Sequence, residues 1–424
     1  MKYTILSLWK TQALILAIFV YGILSANAQT AFNLEQLQDS AKANYPIIQQ
    51  YDLINQATEY TISNANKAYL PQFDINLIGG VITGLPSFTA EAESGTNLNL
   101  ITVAQLNQVI WDGGITKANK EIIQANANIE TAQLDVQMYE IKQKVNDLFF
   151  GILLIQEQLK QVALLQENLQ TNKKRVQAGF DNGVAFASDL DEIEVEIINA
   201  EQKVTELEYT QEAYLSMLAL MTQVELNKNS QLNKPQMPLT LSASPINRPE
   251  LLVFENQRSL IEGQTKINKS MLYPKIGLLG FATFIQPGVD FGPSTVNNIF
   301  VGGLSLRWSI GGLYKNSNNK SLVAVNQEKI KVQEQTFLYG LNLEMNKAKN
   351  EVTKYQNLLE RDNRLIELKT NIKNSYQNKY DNGVATMSDL LNRINDENQA
   401  NQNKILHEVQ WMNAWFTYKT LIGQ

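Results

Sequence analysis

The sequence predicts a mainly α protein with a membrane β portion: long antiparallel coiled-coil helices, interrupted by two short pairs of strands. Three observations predict it. The stretch DNGVAFASDL at 181–190 returns as DNGVATMSDL at 381–390, an offset of 200 residues. Two pairs of short segments alternate apolar and polar residues, the period of a half-buried strand. A long proline-free stretch after Gly114 carries apolar residues at heptad spacing, and the pattern recurs in the second half.

Composition narrows the chemistry. The chain has 424 residues, no Cys, one His (His407) and a net charge of −6. Thiol nucleophiles and Cys or His-cluster metal sites are excluded, and a Ser-His-Asp triad would have to use His407. The acidic balance argues against nucleic acid, which calls for a basic field. No motif of the GxxxxGK type is present. Residues 1–28 read as a Sec signal peptide. Lys2 and Lys10 give a positive start, Ala13 to Leu24 is apolar, and Ser25-Ala26-Asn27-Ala28 is a small-x-small cleavage pattern. Without Cys, no lipidated cysteine follows. No later run reaches about 18 consecutive apolar residues. The expectation is an exported protein that enters a membrane, if at all, as a β-barrel.

Residues 29–225 form a first structural repeat. Phe32 to Ala68 reads as a helix with Leu34, Leu37, Ala41, Ile47, Ile48, Leu53 and Ile54 at apolar positions, kinked or restarted at Pro46. Leu70-Pro71 ends it. A β-hairpin follows over 72–112. Phe73, Ile75 and Leu77 alternate with Asp74 and Asn76, residues 79–97 read as an exposed loop, and a second strand runs from Leu98 to Trp111. Trp111-Asp112-Gly113-Gly114 closes the hairpin. In the long helix beyond, Leu134, Met138, Ile141, Val145, Leu148, Ile152, Ile155, Leu159 and Val162 alternate spacings of 4 and 3. Such a helix, at 1.5 Å per residue, is roughly 100 Å long. A tip turn at 179–188 reverses the chain through Asn-Gly, and the Ser-Asp pair supplies an N-cap for a helix from Ser188 to Met221.

An irregular connector at 226–247, with Pro235, Pro238 and Pro245, precedes the second repeat, 248–424. Arg248-Pro249-Glu250-Leu251 opens a helix that ends at Tyr273-Pro274. A β-hairpin spans 275–310, with a loop at 286–298 and Gly311-Gly312 after it. A long helix carries a seam at Leu338, Leu341, Met345, Ala348, Val352, Tyr355 and Leu359. A tip turn at 379–388 and a helix from Ser388 to Leu421 complete it.

Four strands cannot close a barrel, since the smallest have about eight. A long helix pair with one apolar seam also needs neighbours. A ring of protomers meets both needs with a β-barrel continued by an α-helical tube. Its strand loops lie outside the cell, its helices in the periplasm, its turns at the periplasmic tip and its connector at the waist.

The motifs that carry a family likeness are Asn33-Leu34, Asn44-Tyr45-Pro46, Leu70-Pro71, Trp111-Asp112-Gly113-Gly114, Arg248-Pro249-Glu250-Leu251, Tyr273-Pro274 and the two NGVA-x-x-SDL turns. In this order the sequence resembles the TolC-type outer-membrane efflux proteins. The resemblance implies a homotrimer whose twelve-stranded β-barrel sits in outer-membrane lipid above a periplasmic α-barrel. It implies a passive exit duct, gated at its periplasmic tip, for a tripartite efflux pump or a type I secretion system. Its partners are then a periplasmic adaptor (membrane fusion) protein and an inner-membrane transporter of RND or ABC type. No cofactor, metal or catalytic residue is expected.

Aligned on the turn glycine, the family's gating positions fall on Asp189 and Tyr380, and an aspartate of its selectivity ring on Asp389. This chain has Asn392 and Ala385 where the family has a second aspartate and a locking arginine; Lys379 and Arg393 are nearby candidates to hold the tip. Gly183, Val184, Gly383 and Val384 form the turns an adaptor would dock on. Structural readings stand beside these. Asp189 and Asp389 suit a helix N-terminus, the glycines suit backbone geometry, and Tyr380 suits packing between helices. Trp111 and Trp308 read as membrane-interface anchors or as core. Asp191, Glu192, Glu194 and Glu196 read as a solvated face. The alternative to a duct is a secreted or periplasmic coiled-coil structural or adaptor protein without a channel.

Overall fold

The structure, a computed structural model, describes residues 31–81, 98–238, 245–290 and 295–424. The signal peptide and most of the 79–97 loop lie outside the described residues. In chain order the elements are β1 (Ala31–Phe32), α1 (Leu34–Asn44), α2 (Gln49–Asn66), β2 (Gln72–Val81), β3 (Leu98–Trp111), α3 (Ile115–Asp181), α4 (Ala187–Thr222), β4 (Gln231–Leu232), α5 (Pro249–Ser270), β5 (Lys275–Asp290), β6 (Thr295–Arg307), α6 (Gly312–Asp381) and α7 (Met387–Leu421). The chain divides into two compact units that cut across the sequence repeats. One holds the residues to Ile48, Gln137–Asn247 and Leu341–Gln424; the other holds Gln49–Val136 and Arg248–Gly340.

The unit that carries the tip turns is helical. Its core follows the heptads, and Ile155, Val162, Leu169 and Val176 of α3, at every seventh position, are buried. They pack with Ile193, Ile197, Ala200 and Leu207 of α4 and with Met387, Leu390, Leu391 and Ile394 of α7. Each fully buried Leu or Ile contributes roughly 1.5–3 kcal/mol of transfer free energy. One stretch of α3 is apolar enough to cross a membrane by composition. Within it, Phe149, Ile152 and Leu153 are buried in the protein, as in the core helix of a bundle.

The N-terminal segment is tied to the connector, which the sequence reading left irregular. β1 pairs in parallel with β4, Ala31 opposite Gln231 and Phe32 opposite Leu232. Asn233 Nδ2 donates to Asn33 Oδ1 at 2.8 Å, and Lys234 pairs with Glu157 (3.1 Å) and Glu408 (3.3 Å). Tyr45 breaks the first helix in extended backbone just before Pro46, as the restricted residue ahead of a proline should.

The other unit holds the sheet. Its order is β2-β3-β5-β6, all antiparallel, so the two hairpins lie side by side through β3 and β5. The expected loop at 286–298 is mostly strand: β5 runs to Asp290 and β6 starts at Thr295, across a register shift between Phe284 and Val289. Gly, Pro and Asn had masked the pairing there.

Directly opposed residues share a face, so the register sorts the side chains. One face carries Phe73, Ile75 and Leu77, then Leu100, Thr102, Ala104, Leu106 and Gln108, then Leu278, Gly280, Ala282, Phe284 and Gln286, then Asn298, Phe300, Gly302, Leu304 and Leu306, mostly apolar. None is charged. The other face carries Asp74, Asn76, Gln105, Asn107, Lys275 and Arg307 among apolar residues. Leu304 is 78% exposed and Phe300 67%, so the apolar face lies open. Among the described residues, the outer edges of β2 and β6 have no strand beside them.

Candidate functional site

The tip turns are helix caps of one type. At the end of α3, Gly183 has φ +75°, its N–H donates to Phe180 O at 2.9 Å, and Val184 N–H donates to Gly179 O at 2.9 Å. That pair of bonds is the Schellman motif, with glycine at the left-handed position. At the end of α6, Gly383 (φ +72°) donates to Tyr380 O at 2.9 Å, and Val384 to Lys379 O at 2.8 Å. Thus Asn-Gly here ends a helix with its αL residue rather than forming a hairpin turn.

The next helix starts two residues earlier than the Ser-Asp pair suggested. The N-cap positions are Phe186 and Thr386, not Ser188 and Ser388. The Thr386 hydroxyl accepts from Asp389 N–H at 3.1 Å and donates to Asp389 Oδ2 at 2.7 Å; Thr386 N–H donates to the same oxygen at 3.1 Å. Asp389 is therefore the third residue of a capping box. Asp189 holds the equivalent place and accepts from Phe186 N–H at 3.0 Å, but Phe186 has no side-chain acceptor to return the bond. The hydrogen bonds from the Thr386 hydroxyl and N–H, aided by Arg393, hold the Asp389 carboxyl below the usual range.

Between the two turns lies a cleft of about 530 Å³, lined among others by Arg175, Val184, Phe186, Asp189, Tyr380 and Val384. The fold thus brings Asp189 and Tyr380 together with Val184, Gly383 and Val384. Tyr380 packs against the heptad core. Burial, then the charge of Asp189, push its phenol above the usual value. Arg175 faces Asp381 at 3.7 Å. Val184 (82% exposed), Phe186 (76%) and Val384 (75%) form an apolar lip. Phe186 was missed in the sequence reading. Its signal was there, as one of only two positions at which the DNGV-to-SDL stretches differ.

Below the turns, ion pairs and a hydrogen bond join the helices. Lys173 pairs with Glu194, Asn395 Nδ2 donates to Glu196 Oε2 at 3.2 Å, and Lys369 meets Asp396 at 2.9 Å. The reading of Glu194 and Glu196 as a solvated face is corrected: both are half-buried and partnered across helices. Lys379 and Arg393 both stack on Tyr376, at 4.6 and 5.3 Å, and Arg393 also pairs with Asp396 at 3.0 Å. Ala385 lines the cleft and Asn392 is exposed. His407 Nδ1 lies 2.7 Å from Asp362 Oδ2, beside the Tyr355 ring. The groups of the tip can set a local field, latch helices and offer an apolar lip.

The aromatics sit at the strand ends. Ile110 is skipped in the β3–β5 register, so Trp111 faces Ile276 and joins the apolar side of the sheet, with its ring 6.3 Å from that of Tyr273. Trp308 lies just past β6 and donates Nε1–H to Leu272 O at 3.1 Å. After Trp111, Asp112 Oδ1 accepts from Gly114 N–H (2.8 Å) and Tyr69 Oη (3.1 Å), and Oδ2 from Thr116 N–H (2.7 Å), capping α3. Gly113 and Gly114 have positive φ, whereas Gly311 and Gly312 do not, so the two Gly-Gly pairs match in sequence and differ in geometry.

No protein-family model and no curated protein matches the sequence. Solved structures do match the fold. The outer-membrane protein VceC of Vibrio cholerae aligns with a TM-score of 0.65 at 11% identity, over 92% of this chain and 96% of its own. CusC, solved in states that accompany folding and transmembrane channel formation, aligns at 0.68 and 14% identity over 93% of each chain. The outer-membrane channel MtrE of Neisseria gonorrhoeae, in its open state, aligns at 0.61 and 14% identity over 92% and 89%. This chain has the fold of solved outer-membrane channels, the fold that its resemblance to TolC-type proteins led us to expect.

Proposed function

We propose that the protein is the outer-membrane exit duct of a tripartite efflux pump or a type I secretion system, a passive homotrimeric conduit gated at its tip. The observation that carries this reading is the open sheet. It has an uncharged, exposed and mostly apolar face, an opposite face that bears charges, and two edges that have no partner strand among the described residues. In water such a surface is an aggregation hazard. In lipid it is stable only if the edges are closed, because no water is present to satisfy them. Three copies give twelve strands, an even number within the range of known barrels. α6 adds to the demand for neighbours, since Tyr314, Leu322, Val325, Val332 and Tyr339 are exposed along it. A secreted scaffold or adaptor without a channel leaves all of this surface uncovered.

Trp111 and Trp308 then mark the membrane interface, and Asp189, Tyr380 and Asp389 the gate. Gly183, Val184, Gly383 and Val384, joined by Phe186, are the surface for a periplasmic adaptor that links the duct to an inner-membrane transporter. Fractionation with cross-linking tests the assembly. The mature protein should be found in outer membranes as a trimer that conducts ions in a planar bilayer. A soluble monomer would end the proposal.

A further inference from the structure

Lys275 and Arg307 face each other directly across β5 and β6, at the first position of one strand and the last of the other. Two like charges at opposed positions destabilise a sheet. Both side chains are exposed, and among the described residues neither has an acidic partner. Asp74, on their face in β2, pairs with Gln105, which pairs with Phe281, six residues along β5 from Lys275, and Asp290 pairs with Thr295 at the opposite end of β5. Asp112, at the nearer end of β3, is saturated by its own hydrogen bonds.

The first hairpin lacks the pair. Its equivalent positions, next to Pro71 and Trp111, are Gln72 and Ile110. The cations lie opposite to the face of Phe300, Leu304 and Leu306, so lipid contact does not account for them. An unneutralised pair, held by register on the charge-bearing face of a chain that is acidic as a whole, needs another explanation.

We propose that Lys275 and Arg307 form an anion-recognition belt inside the strand end of the channel, one pair per protomer, which takes carboxylate- or phosphate-bearing cargo. This rests on the duct reading above, which places the charged face of the sheet toward the lumen. Arg307 supplies a planar fork for two oxygens and Lys275 a mobile point charge beside it. In a ring, the pairs would raise the local concentration of anions and disfavour cations. Their sign is opposite to that of the tip aspartates, so anionic cargo that passes the tip meets attraction at the strand end.

The test uses the full mature protein in a planar bilayer of uncharged phosphatidylcholine, under a KCl gradient. Lys275→Gln with Arg307→Gln should raise the ratio of potassium to chloride permeability by at least about twofold. The charge-keeping exchange Lys275→Arg with Arg307→Lys should leave the ratio near wild type. Hexacyanoferrate added on the strand side should reduce the wild-type current and act more weakly on the neutralised variant. If that variant does not assemble, the hexacyanoferrate response of the wild type decides, and its absence overturns the belt. An unshifted permeability ratio with conductance intact also overturns the belt and leaves the duct standing. Block that appears only when anionic lipid is present would assign the pair to lipid headgroups and overturn the cargo reading. No conductance from wild type would overturn belt and duct together.

Discussion

Two glycines inside the long helices should respond differently to the same substitution. Gly151 lies in α3 and Gly340 in α6. In a helix interior, alanine is favoured over glycine by about 1 kcal/mol, because glycine loses more backbone freedom. At Gly340 an added methyl meets nothing within 4 Å, so Gly340→Ala should gain that full increment. At Gly151 the methyl would stand 2.6 Å from Tyr214 Cε2 and 2.9 Å from Cδ2, well inside contact distance. The Tyr214 ring packs against the heptad core and has little room to yield. Overpacking of this kind costs about 1–3 kcal/mol, so Gly151→Ala should range from neutral to about 2 kcal/mol less stable. The propensity term is common to both sites. The two variants should therefore differ by about 1–3 kcal/mol, the steric term alone. Denaturant unfolding of the detergent-solubilised protein measures this, and adding Tyr214→Leu to Gly151→Ala should recover part of the loss. Equal stability of the two variants would refute the steric reasoning. A destabilised Gly340→Ala would show that a neighbouring chain occupies the space beside it.

Other outcomes follow at the tip. Thr386→Val should cost about 1 kcal/mol of local stability and Phe186→Thr should gain a similar amount, read as hydrogen exchange in the first turns of α7 and α4. Because hydrogen bonds lower the folded-state pKa of Asp389, its carboxylate supports the cap fully above the unfolded value of about 3.9, and that support is lost as pH falls through the lowered value. Protection of the α7 N-terminus, corrected for intrinsic rates, should therefore fall only at acid pH, and Asp389→Asn should remove that dependence. Val184→Asp with Val384→Asp should abolish adaptor capture while trimers persist. Asp389→Ala should lower cation preference in bilayers, and an unchanged reversal potential would remove Asp389 from the field ring.

Much of the fold was legible because each segment announced its period. Phe73, Ile75 and Leu77 alternate, while Leu134 to Val162 repeat by sevens, and the two patterns cannot be confused. The misses share a cause. β1 and β4 are two residues each, too short for any period, and their pairing joins segments 200 residues apart. The strand ends at 286–298 are rich in Gly, Pro and Asn, so composition spoke for a loop where register prevailed. Ser188 and Ser388 look like ideal N-caps, yet the Schellman bonds of Gly183 and Gly383 fix where the chain turns, and the cap falls on Phe186 and Thr386. At the tip, the chain turns where the sequence expected it to, at Gly183 and Gly383. The sequence did not show that Asp189 and Tyr380 would share a cleft, because helices from both halves must pack to bring them together.

The skipped residue Ile110 makes the first hairpin a problem of odd and even. Side chains alternate along a strand, so without the skip Trp111 would share a side with Val109 and Asn107. One unpaired residue switches the parity just before the strand ends and hands the ring to the apolar side. Deleting Ile110 removes no catalytic or core group, yet it would force a choice: turn Trp111 toward the charged face, or rotate the start of α3 and break the Asp112 cap that begins it. The second hairpin avoids that choice, because Trp308 lies past the last paired residue and is held by its own bond to Leu272. The two halves of the chain therefore place their tryptophans by different rules, one by counting and one by tethering, and only the first is sensitive to a single-residue insertion or deletion.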